Sequence, residues 1–237
     1  MAQPSPRWLG IERRIERDYF QQDSAALEAL AAQLAPGHTS GGGTSVGTDP
    51  QWRGYYTAFL AYRLALLAKD DEDRAWPFAQ RCIDRLNGAL VLDPESAEAL
   101  ALQSACLALQ SRLDPWRSPL AAALSLARID KALKLAPDNP RVLLLGAMAA
   151  RDRPRLFGGD NQQSFALLEH SVAAFERQSA GPQGLPGWGA ADAFTDLAED
   201  YLGRGDTLAA RNVLERALLV APGFTHARRL MAEIVSG

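Results

Sequence analysis

Apolar positions follow a helical period along nearly the whole chain, and no convincing alternating stretch of strand character interrupts it. The pattern predicts two short helices over 7–20 and 24–35, with Asp23 or Ser24 as N-cap of the second. Residues 35–50, APGHTSGGGTSVGTDP, then break the period with glycine, serine and threonine and read as a flexible linker. Beyond them, helices are expected in pairs: about 52–68 with 75–92, 95–112 with 119–135, and 139–151 with 161–178. A last pair runs through Phe194–Leu202 and Ala210–Leu218, and Ala227, Leu230, Met231, Ile234 and Val235 mark one more amphipathic helix as a cap. The expected organisation is therefore an N-terminal helical segment (1–35), a linker (36–50) and a helical array (51–237) of about four hairpins plus the cap.

The helix endings repeat. GALVLDP closes at Pro94, KALKLAPDNP at Pro137 and RALLVAP at Pro222, 43 and 85 residues apart, which places a degraded copy where SVAAFERQ ends near 175–180. Evenly spaced, self-similar segments imply stacked supersecondary units, hence an all-α solenoid. The last unit is the clearest. Phe194, Leu197, Ala198, Tyr201 and Leu202 share one helical face; after GRGD, Ala210, Val213, Leu214, Ala217 and Leu218 share another. Ala198 and Ala217 let the two backbones approach, and Pro222 stops the second helix.

This arrangement resembles the tetratricopeptide repeat (TPR): an aromatic, a Leu-small pair, a tyrosine, a Gly-containing turn, a small residue, a bulky one, an alanine and a proline. The upstream units exceed the usual length of about 34 residues, and the extra residues are expected in enlarged turns between the two helices of each hairpin. The likeness spans roughly 52–235. Together with the enlarged turns, P-x-x-F-G-G-D at 154–160, W-G at 188–189 and A-P-x-N-P-R at 136–141 resemble bacterial exported or envelope TPR proteins, in particular the TPR component of TRAP transporters.

The resemblance implies that first-helix residues of each hairpin line a concave groove. On this chain they are Glu98, Ala101 and Ala105, then Arg141, Leu144 and Met148, then Asp192, Thr195 and Glu199. Such a floor, apolar in the middle and acidic at its C-terminal end, suits an extended peptide, a helix, or an amphiphile with a basic end. The enlarged turns carry Trp76, Trp116 and Phe157 beside proline or glycine. Each ring either covers its own hairpin or contributes to an aromatic edge that docks a partner.

Other chemistry is sparse. LFGGDNQQ (156–163) has neither a preceding strand nor a lysine after its glycines, so it reads as a turn with Asp160 as N-cap and Gln163 completing a capping box, and not as a phosphate loop. His38, His170 and His226 are scattered, and DDED (70–73) lacks the remaining ligands of a calcium loop, so no metal, cofactor or catalytic constellation is expected. Cys82 and Cys106, without a CxxC spacing or neighbouring histidines, are expected to be buried inert thiols, with a disulfide as the alternative. A net charge of −3 gives no grounds for nucleic-acid binding. The apolar runs are too short to span a bilayer, and MAQPSPRW carries no signal-peptide core; a periplasmic location is favoured over a cytoplasmic one on the resemblance.

The expected function is a non-enzymatic scaffold that binds a protein or peptide in its groove. The alternative is a periplasmic, transporter-associated accessory protein that handles a small apolar ligand.

Overall fold

Successive helices pair as antiparallel hairpins because each hides an apolar stripe that it cannot cover alone. The computed structural model describes residues 4–35, 50–153, 159–179 and 186–236. Eleven helices occur among them: α1 (Pro6–Phe20), α2 (Ser24–Leu34), α3 (Pro50–Leu67), α4 (Glu72–Leu92), α5 (Ala97–Leu113), α6 (Ala121–Leu135), α7 (Pro140–Asp152), α8 (Asn161–Ser179), α9 (Ala190–Gly203), α10 (Thr207–Val220) and α11 (Thr225–Ser236). No strand is present among the described residues. The hairpins are α3/α4, α5/α6, α7/α8 and α9/α10, each packed on the next, and α11 leans on α10.

Local chemistry marks the helix ends. Asp23, Asp71, Ser96, Asn139 and Asp206 each accept a hydrogen bond from a backbone N–H of the helix they start. Pro6 and Pro140 occupy first-turn positions, where a missing N–H costs nothing. The second helices α4, α6 and α10 end at Leu92, Leu135 and Val220, two residues short of Pro94, Pro137 and Pro222. Gly205 takes φ +79 in the turn between α9 and α10, where a side chain would be strained.

The turn lengths differ from hairpin to hairpin. Residues 114–120 separate α5 from α6, and 153–160 separate α7 from α8, but only 68–71 separate α3 from α4. In the first hairpin the extra length lies in the helices, and Trp76 accordingly sits within α4 and not in a turn. Cys82 of α4 and Cys106 of α5 form a disulfide with a Cα–Cα distance of 6.3 Å. This corrects the expectation of two free thiols: the cysteines lie on facing sides of adjacent units, a proximity that a spacing of 24 residues does not reveal.

The buried apolar residues form two main clusters, and each borrows a ring from the far end of the chain. Trp188, which precedes α9, is buried in the cluster built by α1 to α7. Phe20, which ends α1, is buried in the cluster built by α7 to α11. α1 is thus a crossbar on the inner side of the array. Trp8 stacks on Tyr56 of α3 at 5.8 Å, and Phe20 meets Phe224 at the start of α11 at 4.2 Å. The linker expected at 36–50 lies, up to residue 49, outside the described residues.

Candidate functional site

The inner side divides into a sealed part and an open part. In the sealed part, Glu98 accepts hydrogen bonds from Tyr55 Oη (3.0 Å), Asn139 Nδ2 (2.8 Å) and Arg141 Nη2 (2.6 Å). Burial pushes its pKa up, but the Arg141 charge and these bonds outweigh it and hold Glu98 below the ordinary carboxylate range. Arg141 also donates to the Pro186 carbonyl at 2.5 Å. Trp188 stacks on Phe59 at 4.5 Å and donates to Tyr55 Oη at 2.9 Å. Gly189 turns the chain into α9 at φ +94; a Cβ there would come within 3.1 Å of Leu144. Ala101 is fully buried and Ala105 half-buried. Glu98, Ala101, Ala105 and Arg141 therefore belong to the packed floor.

The open part is a cavity of about 620 Å³ enclosed by the α1–α2 corner, α3, α4, α7, α9 and the start of α11. Leu144, Met148, Asp192 and Thr195 line it. Glu199 stands beside it, bonded at 2.7 Å to His226, which also lines the cavity. Thr195 spends its hydroxyl on the Ala191 carbonyl at 2.8 Å and offers the cavity little polarity.

The charges that define this cavity come largely from residues that the repeat pattern does not mark. Arg63, only 3% exposed, forks onto Asp192 at 3.1 and 2.6 Å and reaches Glu16 of α1 at 2.6 Å. Its guanidinium also lies 4.1 Å from the Tyr19 ring centroid. Glu16 and Glu12, one turn apart on α1, accept from the Gly189 and Gly187 backbone N–H groups at 3.4 and 2.7 Å. Asp196 meets Arg151 at 3.1 Å, with Asp200 at 3.8 Å on the other side of the same guanidinium. Burial pushes both Glu16 and Asp196 up to about 7, against the opposing pull of Arg63 and Arg151 respectively. Glu199 moves the other way: its bond to His226 outweighs burial and lowers it.

Two features of the sequence are traces of this network. Arg63 is the lone charge in the apolar run YYTAFLAYRLALL, and Glu12 lies on the apolar face of α1 between Ile11 and Ile15. Neither says which partner it meets.

Of the aromatic edge, Trp76 is half-buried with the Arg117 guanidinium 5.1 Å from its ring centroid, and Trp116 is 94% exposed. Phe157 lies outside the described residues, as does His38. Asp160 caps α8 by accepting from the Gln162 N–H at 2.7 Å. Asp71 of the DDED stretch caps α4. Among the described residues, no group of three or more His, Cys, Asp or Glu is placed to hold a metal ion, and no helix is long and apolar enough to cross a membrane.

No protein-family model and no curated protein sequence matches this chain. Solved structures do. The HusA haemophore from Porphyromonas gingivalis is 22% identical, covers 86% of this chain and 96% of its own, and superposes with a TM-score of 0.61. TTC0263, a thermophilic TPR protein from Thermus thermophilus, is 15% identical, covers 95% of this chain and all of its own, and gives 0.59. The fold is TPR-like. At these identities the likeness concerns architecture alone.

Proposed function

We propose that this TPR-like chain is a non-enzymatic binding protein whose inner cavity holds a small amphiphile, apolar in body and basic at one end. The cavity of about 620 Å³ between α1 and the array carries this reading. Its volume falls within the range of small-molecule sites. Leu144, Leu145, Met148, Phe20 and Phe224 supply apolar wall. Seven carboxylates line or border it (Glu16, Glu28, Asp70, Asp192, Asp196, Glu199 and Asp200) against five Arg or Lys side chains (Arg63, Lys69, Arg74, Arg151 and Arg229), and this excess favours an added cation.

An extended peptide along the groove would first have to displace α1 with its buried ion pair, which weighs against groove binding of a protein. The name of the haemophore neighbour agrees with a ligand-handling role for this architecture. The buried disulfide suits an oxidising compartment and supports an exported location.

Fluorescence titration with a neutral naphthylamine probe tests the cavity. We expect saturation at one site and a loss of about tenfold, or about 1.4 kcal/mol, in Met148→Trp, which fills the space. Unsaturable binding, or equal binding by the variant, contradicts the reading. One observation favours a protein partner elsewhere: Trp116, Leu120 and Leu124 are 94%, 69% and 46% exposed at the end of the α5/α6 hairpin. A partner docked there would be lost on Trp116→Ala and kept by Met148→Trp.

A further inference from the structure

The inner wall of the cavity holds several polar side chains, and most are already engaged. Asp192 gives both carboxylate oxygens to Arg63. Thr195 bonds to the Ala191 carbonyl, and both ring nitrogens of His226 are taken, by Glu199 and Arg229. Asp196 and Tyr62 keep a free bonding position. Asp196 accepts from Arg151 through Oδ2 at 3.1 Å, while its Oδ1 makes no hydrogen bond with any described residue. Tyr62 of α3 is only 3% exposed and lines the cavity, yet its hydroxyl also has no hydrogen-bond partner among the described residues. Groups so buried are rarely left unpaired without a reason. Burial pushes the phenol up to about 12 against the pull of Arg63, and the Asp192 and Asp196 charges add to the rise. Tyr62 therefore stays protonated, within electrostatic reach of both carboxylates.

We infer that Asp196 and Tyr62 are the head-binding residues of this cavity, and that they select a cation bearing N–H groups, a primary ammonium or a guanidinium, over a quaternary ammonium. This rests on the cavity reading above and adds the chemistry of the basic end. An N–H cation can donate to Asp196 Oδ1 and to the Tyr62 hydroxyl oxygen, and such charge-assisted bonds are stronger than neutral ones. A quaternary ammonium has no N–H and is held by aromatic faces. Here three of the rings that line the cavity are already occupied: the Arg63 guanidinium lies 4.1, 5.8 and 6.0 Å from the Tyr19, Phe20 and Trp188 ring centroids. The resident arginine thus takes the place that a trimethylammonium group would need, and leaves oxygen acceptors for a ligand.

Calorimetric titration of the full chain with hexylamine and with hexyltrimethylammonium at about pH 8 tests this head site, since the chains match and the N–H groups differ. Asp196, raised by burial to about 7, is ionised there. Hexylamine should bind about tenfold tighter or better, in keeping with the strength of a hydrogen bond to a charged group. Tyr62→Phe, which keeps the ring, should shrink that preference severalfold, and Asp196→Asn should reduce it further. Equal affinity for the two cations, or no binding of either, overturns the head site. So does a preference that either variant retains in full. If the neutral naphthylamine probe still saturates the native chain, the cavity reading survives such a result; if the probe fails as well, both fall.

Discussion

Arg63 sits where burying an unpaired charge would cost several kcal/mol, and it is tolerated because Glu16 and Asp192 reach it from opposite ends of the chain. Removing the guanidinium strands two carboxylates. Arg63→Ala should therefore lower stability by about 3–5 kcal/mol, read from urea unfolding. A loss of well under 1 kcal/mol would mean that α1 does not rely on this contact. The sequence made part of this site legible: Leu144, Met148, Asp192 and Thr195 follow from repeat position and line the cavity. Glu98 and Arg141 follow from the same rule yet lie sealed under Trp188, because what covers a floor residue is decided by a loop far along the chain. Asp192 contacts Arg63 across 129 residues, and no local pattern encodes such a pairing.

At the scale of elements, hairpins depend on small residues at close approaches. Ala217 is fully buried at the contact of α10 with α9, so Ala217→Leu should overpack it and cost about 1–3 kcal/mol; an unmoved melting temperature would contradict that packing. The disulfide joins α4 to α5 over a separation of 24 residues. Opening a loop of this length should cost about 3 kcal/mol, measured as the stability difference between the native chain and Cys82→Ala with Cys106→Ala. The helices themselves were readable from period and caps because each buries one stripe. The short 68–71 turn was not, since Glu72, Asp73 and Arg74 are exposed and polar in either state and leave no periodic trace.

At the scale of the molecule, α1 ties the first repeat to the approach to the last and to the start of α11, turning an open groove into a walled cavity. The charges around that cavity are pH-dependent. Glu16 and Asp196 titrate near 7 when folded and in the ordinary carboxylate range when unfolded. Between those values the folded chain holds more protons than the unfolded one, so stability should fall as pH rises from about 5 to about 8. Glu199, lowered by His226, acts in the opposite sense only at more acid pH. Calorimetric melting across this range checks the direction.

Ligand binding should run opposite to stability, because a cation is attracted only by ionised carboxylates. The most direct measurement is isothermal titration with dodecylamine and with laurate at pH 6 and pH 8. We expect one amine site that tightens severalfold at pH 8, as Asp196 ionises near 7, and little laurate binding at either pH. Laurate bound as tightly as the amine, or an amine affinity that ignores pH and survives Met148→Trp, would contradict a cavity built for a basic amphiphile.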